Sequence, residues 1–225
     1  MDEVDTRKAR ELLRRAKRIL LATHERPDGD ALGSLLGLGW MLRGPGKTLW
    51  LLSRDGVPAT FHFLPGFEDV SSRVPTEVDL IVYLDCSDPD RVGEFEAPIP
   101  SAPSLNIDHH ATNSRFAEVN LVEGKAVATA EVIYDLVDPL RLKLNPNAAV
   151  GLLTGLVTDT LGFRTANVNA KCLLIAQKLM QAGANLSEIV EKSMNRRTFS
   201  AARYWGLGLS RIEREGPIVW LAEPR

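Results

Sequence analysis

Arg18-Ile-Leu-Leu-Ala-Thr23, running into His24-Glu-Arg-Pro-Asp28-Gly-Asp30 and then into a Leu-rich stretch that ends near Arg43, decides how this chain folds. Residues 18–23 are apolar, brief and followed by turn residues, which is the pattern of a short buried strand. Gly29 to Arg43 combines Leu with small residues and reads as a helix, which Gly44-Pro-Gly46 stops. Upstream, Thr6 to Lys17 places Leu12, Leu13 and Ala16 at helical spacing among charges, predicting an amphipathic helix. Downstream, strands are expected at Thr48–Ser53, Leu80–Leu84, Ser104–Ile107 and Glu118–Val122. A helix is expected at Thr129–Val137, with Glu131 in its first turn where a carboxylate suits the helix dipole. Strands alternating with helices predict an α/β fold: a Rossmann-like, doubly wound, mainly parallel five-stranded sheet with flanking helices.

From Asn145 the pattern changes to helices alone, at Asn147–Leu161, Asn169–Ala182 and Leu186–Asn195. Pro146 suits a first helical position and Gly183 a C-terminal cap. After Thr198 comes a Gly-punctuated stretch and then one strand, Pro217–Ala222, which needs a partner.

At 225 residues the chain can bury one sizeable core. Its 44% hydrophobic and 25% charged residues are those of an ordinary globular protein. The two cysteines, Cys86 and Cys172, form no spaced framework and suggest a reducing compartment. No apolar run reaches the length of a membrane span, and the charged N-terminus lacks the apolar core of a signal peptide. The expected location is cytoplasmic. A net charge of −2 argues against long duplex nucleic acid as a partner. Arg predominates among the 27 basic residues, which leaves room for a small anionic substrate.

The chemistry-bearing residues lie where the predicted strands end. His24 follows the first strand, with Asp28 and Asp30 in the loop beyond it; Asp85 ends the third; Asp108-His109-His110 follows the fourth; Asp159 punctuates a later apolar run. Ligands of open parallel sheets bind outside the carboxyl ends of the strands, so the strand-end residues converge on one rim. Singly, each has a plainer reading: a turn aspartate, a satisfied strand-end histidine, a solvated carboxylate. Together they read as a metal site. Carboxylates and imidazoles without thiolates suit Mn²⁺, with Mg²⁺, Co²⁺ or Zn²⁺ admissible. The supply exceeds one ion's needs and matches two ions about 3.5–4 Å apart sharing a carboxylate.

In motif order and spacing the chain resembles the DHH phosphoesterase superfamily, most nearly its short-chain oligoribonucleases that also act as 3′-phosphoadenosine-5′-phosphate phosphatases. His24-Glu-Arg-Pro-Asp28-Gly-Asp30-Ala-Leu-Gly33-Ser34 is similar to the first motif and Asp85-Cys-Ser-Asp88-Pro to the second. Asp108-His109-His110-Ala-Thr-Asn113 is similar to the third and Thr154-Gly-Leu-Val-Thr-Asp159-Thr to the fourth. The resemblance implies two Mn²⁺ ions, one held by His24, Asp28 and the bridging Asp85, the other by Asp30, Asp85, His109 and Asp159. It implies a bridging hydroxide as nucleophile and catalytic roles for Asp85, Asp108 and His110. Asp108 would orient an imidazole, and His110 would contact phosphate or pass a proton to the leaving oxygen. Asn113, in the third motif, and Arg164, after the fourth, are the further candidate substrate contacts. The implied substrates are very short oligonucleotides, including linear dinucleotides, and phosphoadenosine phosphate.

Residues 1–195 would be the DHH catalytic domain. Residues 196–225 would be a linker and the truncated start of a DHHA1-like substrate-binding domain, since no glycine-rich Gly-Gly-His-type motif follows Asn195. The sequence leaves room for a homodimer. Two other readings stay open: a manganese-dependent inorganic pyrophosphatase or polyphosphatase, and a non-catalytic nucleotide-binding or partner-docking module. A long-strand exonuclease is disfavoured by the charge balance and by the lack of a basic, aromatic-lined channel.

Overall fold

The computed structural model describes residues 2–195 and 199–221, which form two compact units divided between Met194 and Asn195. In the first, helix α1 (Glu3–Arg15) leads into β1 (Arg18–Thr23), α2 (Gly29–Leu42) and β2 (Thr48–Leu52). A two-residue β3 (Val70–Ser71), β4 (Leu80–Leu84), β5 (Ser104–Asp108) and β6 (Val119–Val122) follow. The chain then runs through α3 (Thr129–Asp135), α4 (Pro146–Asp159), α5 (Ala170–Gln181) and α6 (Leu186–Val190), which passes into a π-helical turn at Glu191–Asn195.

All six strands are parallel, in the order β3-β2-β1-β4-β5-β6. The five expected strands are all present, and the sheet gains β3 as a short edge. Two residues pairing with Leu51 and Leu52 are too brief to leave a periodic signal in the sequence. The strand order reverses direction between β1 and β4, so the crevice at the carboxyl ends of these neighbours is the switch point of the fold.

Alternate residues of each strand face opposite sides. Ile19, Leu21, Leu51, Leu80, Val82, Leu105 and Ile107 pack in the main core with α1, α2 and α3. Leu20, Ala22, Leu52 and Ile81 face a smaller cluster closed by Trp50, Val74, Phe95, Ile99 and Phe116, carried by β2 and by irregular segments. Helix ends follow their sequence cues. Asn145 caps α4, its side-chain oxygen accepting from the Ala148 N–H at 3.0 Å, with Pro146 behind it. Gly183, at φ +116°, follows the end of α5.

Helix α2 is buried almost from end to end because it lies between the sheet and α4. The two helices meet through glycines. A Cβ at Gly33 would stand 2.3 Å from the Gly151 carbonyl oxygen, and one at Gly151 would stand 2.8 Å from the Gly33 carbonyl oxygen. Backbone rests on backbone at this crossing, with no side chain able to yield.

The second unit is helix α7 (Phe199–Leu209) and an antiparallel hairpin, β7 (Glu213–Glu215) with β8 (Ile218–Trp220). The expected terminal strand thus has its partner in β7. The end of that expected strand, Ala222, lies outside the described residues, as does Thr198. Helix α7 was not expected; Gly206 and Gly208 obscure its helical period. Among the described residues no helix is long and apolar enough to cross a membrane.

The helix crossing is open to test. Gly33→Ala should destabilise the protein by ~3 kcal/mol, lowering Tm by roughly 6–12 °C in thermal denaturation. Gly44→Ala is the control, because its Cβ meets nothing within 4 Å, and its Tm should stay near wild type. Equal melting of the two variants would mean the helices can separate at little cost.

Candidate metal centre

His24 leaves the end of β1 with its ring buried. Its Nδ1 lies 2.8 Å from the Glu25 carbonyl oxygen, an acceptor, so Nδ1 carries the proton and Nε2 presents a lone pair. That Nε2 is 3.5 Å from Asp85 Oδ2 and 3.9 Å from Asp28 Oδ1. The loop that sets this geometry is clamped from outside. Arg54, after β2, pairs with the Glu25 carboxylate, and Asp55 Oδ2 accepts from the Arg26 N–H at 2.6 Å. The Glu25 N–H donates to the Arg91 carbonyl at 2.7 Å.

Asp85 sits just past β4 with φ +58°, a left-handed conformation disfavoured for a residue with a Cβ. The conformation is held by the Asp85 N–H donating to the Ile107 carbonyl at 3.1 Å and by Thr129 Oγ1 donating to Asp85 Oδ1 at 2.8 Å. Each carboxylate oxygen faces a different imidazole: Oδ2 faces His24, and Oδ1 lies 3.7 Å from His109 Nε2. His109 uses Nδ1 toward the Ala126 carbonyl at 3.3 Å, again turning Nε2 inward. There it also lies 3.6 Å from Asp159 Oδ2 and 3.9 Å from Asp30 Oδ2.

Asp30 is fully buried in the first turn of α2. Its two oxygens accept from the N–H groups of Thr129 at 2.6 Å and Ala130 at 3.0 Å, the first turn of α3. The N-cap position before α3 is Ala128, whose methyl group cannot accept a hydrogen bond, so a carboxylate 99 residues away takes the orphan donors. Gly155 of α4 lies so close that a Cβ there would stand 2.5 Å from Asp30 Oδ1. One turn further along α4 is Asp159.

Asp108 is buried at the end of β5 and works through its neighbours. Oδ1 accepts from the His109 N–H at 2.8 Å and lies 2.7 Å from His110 Nδ1. Oδ2 accepts from Asn113 Nδ2 at 2.6 Å. Asn113, read from the sequence as a substrate contact, is therefore engaged inside the protein: Nδ2 also donates to Asn106 Oδ1 and the Cys86 carbonyl, and Oδ1 accepts from the Arg115 N–H. Its place is behind Asp108. Arg164 is exposed, with Nε donating to the Leu161 carbonyl at 2.7 Å.

The electrostatics follow the geometry. Burial raises Asp30 well above the ordinary carboxylate range, and the charges of Asp85 and Asp159 raise it further. Burial likewise raises Asp159, with Asp85 and Asp28 adding and His109 opposing. Burial would raise Asp85 too, but the neighbouring His24 and His109 and the Thr129 hydroxyl hold it below the ordinary value. His24 shows the reverse balance: burial lowers it, yet Asp85 and the Glu25 carbonyl leave it raised. His110 is raised chiefly by its hydrogen bond to Asp108.

Among the described residues three groups could hold a cation: His24, Asp28 and Asp85; Asp30, His109 and Asp159; and Asp85, His109 and His110. In each, the donor atoms lie within 4.8 Å of one another. Donors around a small octahedral divalent ion at 2.0–2.1 Å stand about 3 Å apart, so modest tightening suffices. The oxygen and imidazole donor set, both inward-facing Nε2 atoms and the crowding of Asp30, Asp85 and Asp159 fit a divalent cation. Sequence reasoning missed Thr129, Ala130 and Arg54. The uncapped start of α3 was the one available signal; nothing near Arg54 announces its partner 29 residues away.

A parallel sheet of Rossmann order gathers carboxylates and imidazoles at its switch point, the arrangement of an α/β protein with a candidate divalent-metal centre. The chain belongs to the DHH family of phosphoesterases: residues 18–156 match the DHH family, N-terminal domain. It is 37% identical over 177 residues to the bifunctional oligoribonuclease and PAP phosphatase NrnA of Thermus thermophilus, covering 77% of this chain and 53% of that protein. The Bacillus subtilis protein of the same description is 31% identical over 177 residues, covering 76% and 55%. The chain spans about half the length of these curated relatives. Among solved structures, an exopolyphosphatase-related protein from Bacteroides fragilis superposes with a TM-score of 0.87 at 25% identity, covering 95% of this chain and 67% of that one.

Crowded carboxylates make a pH-dependent prediction. A carboxyl whose folded pKa is raised binds protons more readily in the native state, so its penalty is absent below the unfolded pKa and complete above the folded one. In EDTA at pH 7.5, Asp159→Asn should therefore melt above wild type, by roughly 2–4 °C for each kcal/mol relieved. The gap should narrow as the pH is lowered toward about 4. A variant that melts lower at pH 7.5 would show that Asp159 is not under repulsion.

Proposed function

We propose that this rim is the catalytic centre of a metal-dependent phosphoesterase that hydrolyses very short oligonucleotides to mononucleotides and removes phosphate from 3′-phosphoadenosine-5′-phosphate. The observation that carries the reading is Asp85, which offers one carboxylate oxygen to each of two imidazole-containing ligand groups. The names borne by the NrnA relatives support the substrate class.

In this reading His24, Asp28 and Asp85 hold one divalent ion, and Asp30, Asp85, His109 and Asp159 hold a second. Mn²⁺ suits the mixed donors best, with Mg²⁺ or Co²⁺ as substitutes. Bound there, the ions would lower the pKa of water to make a nucleophile and neutralise the charge of the phosphoryl oxygens. The protein's own groups do the rest. Asp28 caps α2 through Oδ1, which accepts from Asp30 and Ala31 at 3.0 Å, so ligand and helix start are fixed together. Asp108 holds His110 by Nδ1, leaving Nε2 of a half-exposed ring to meet substrate. With its pKa raised, His110 holds a proton at neutral pH more readily than a free histidine. As water attacks phosphorus and the P–O bond breaks, that proton passes to the leaving oxygen. Arg164, exposed five residues beyond Asp159, is assigned to the substrate phosphate.

The test is hydrolysis of 5′-phosphorylated diadenylate, 3′-phosphoadenosine-5′-phosphate and pyrophosphate with Mn²⁺. Mononucleotide release is expected from the first two. His110→Ala should reduce kcat ~10²-fold with little effect on metal binding, and Asp85→Ala should abolish both. Turnover of pyrophosphate alone would replace this reading with a pyrophosphatase.

A separate expectation concerns the outer clamp. Arg54→Ala frees the Glu25 loop that turns His24 inward, so Mn²⁺ affinity at one of the two positions should fall by about tenfold. Calorimetric titration resolves the two positions, and unchanged affinity at both would remove Arg54 from the metal centre's support.

A further inference from the structure

The end of the sheet opposite the metal centre carries a second feature. A cleft of about 590 Å³ lies where α1 and α2 end and where the chain enters α4. Six of its lining side chains are cationic, Arg10, Arg14, Arg43, Lys47, Arg141 and Lys143, against one carboxylate, Glu11. The chain as a whole carries a net charge of −2, so this concentration of positive charge is local.

Half of these cations have work within the fold. Arg14 pairs with Glu11 at 2.7 Å. Arg43 pairs with Asp69 and lies 3.9 Å over the ring of Trp40. Lys47 Nζ donates to the carbonyls of Leu13 and Ala16 at 2.7 Å each, closing the end of α1. The other three do not. Among the described residues no carboxylate pairs with Arg10, Arg141 or Lys143.

Helix dipoles do not account for them. Cations are favoured at helix C-termini, which explains Arg14 and Arg15 on α1. Arg141 and Lys143 instead precede the N-terminus of α4, whose dipole is positive and repels them. Arg141 is moreover held at φ +57°, a conformation unfavourable for a side-chain-bearing residue. Unpaired cations beside the positive end of a 14-residue helix raise the potential of the cleft and suit an anion there.

We propose that this cleft binds a small anion carrying two or more linked phosphoryl groups, at a site separate from the metal centre. Its size is that of a small-molecule pocket. Three spaced cations match several phosphoryl groups better than one, and guanidinium groups favour phosphate oxygens. Six cations gather in one cleft of a chain whose net charge is −2, whereas a long nucleic acid strand needs a continuous basic track. The site stands independently of the phosphoesterase reading, since none of its residues belongs to the rim.

Calorimetric titration with inorganic tripolyphosphate, in EDTA and at low salt, tests the proposal. One site is expected, with affinity that falls as salt is added. Asp85→Ala should leave the affinity unchanged, while Arg10→Ala/Arg141→Ala/Lys143→Ala should weaken it about tenfold or more. A control triple at exposed cations elsewhere, Lys8→Ala/Arg73→Ala/Lys178→Ala, should bind like wild type. If the cleft triple does not fold, the single exposed variant Lys143→Glu should still show weakened binding. No binding by wild type, loss in Asp85→Ala, or equal loss in the control triple would overturn the proposal. So would binding of a 5′-phosphorylated oligonucleotide of ~20 residues without binding of tripolyphosphate.

Discussion

The contact of α2 with α4 is the constraint on which the rest of the molecule depends. Gly33 and Gly151 face each other backbone to backbone, and Gly37 and Gly155 leave room for the Leu152 and Asp30 side chains, so the two helices approach closely. Approach this close fixes the rotation of each helix about its axis, because one residue of slip would bring a Leu into the crossing. Fixed rotation is what the rim requires. Asp30 begins α2 and Asp159 ends α4, and both meet His109 only if the helices cross where their glycines allow.

The strained and charged features of the rim make sense on that rigid base. Burying Asp30, Asp85 and Asp159 together works against stability. The helix packing, the first turn of α3 and the Thr129 hydroxyl hold the carboxylates in place despite it. A left-handed Asp85 is a further local cost carried by the surrounding hydrogen bonds. In the metal-dependent reading proposed above, a bound cation would convert that mutual repulsion into coordination. In the same reading, preorganisation of this kind would leave little reorganisation for the chemical step.

The outer supports divide into two kinds. Buried Asp108 and Asn106, joined through half-buried Asn113, form a polar chain that fixes the tandem histidines from behind. Arg54, Asp55 and Glu25 form a half-exposed clamp that fixes His24 from outside. Buried chains of this type resist both water and substitution, whereas an exposed clamp yields more readily to either.

The sequence by itself determined the parallel α/β architecture, every strand of the main sheet longer than two residues, and the residues that gather at the rim. These features are local: apolar runs of strand length, turn residues after them, and polar residues set where a strand must end. The helix limits were legible to within a few residues for the same reason, through Asn145, Pro146 and Gly183. Tertiary structure alone decided the rest. Position along the chain says that Asp85 lies at a strand end, but only the fold shows its two oxygens turned toward two different imidazoles. Asn113 reads as a substrate contact from its motif, yet its amide is engaged by Asp108. The carboxylate that caps α3 is Asp30, and the cation that steadies His24 comes from beyond β2. Such pairings join residues that are distant in sequence through single hydrogen bonds, which leave no periodicity or composition to read.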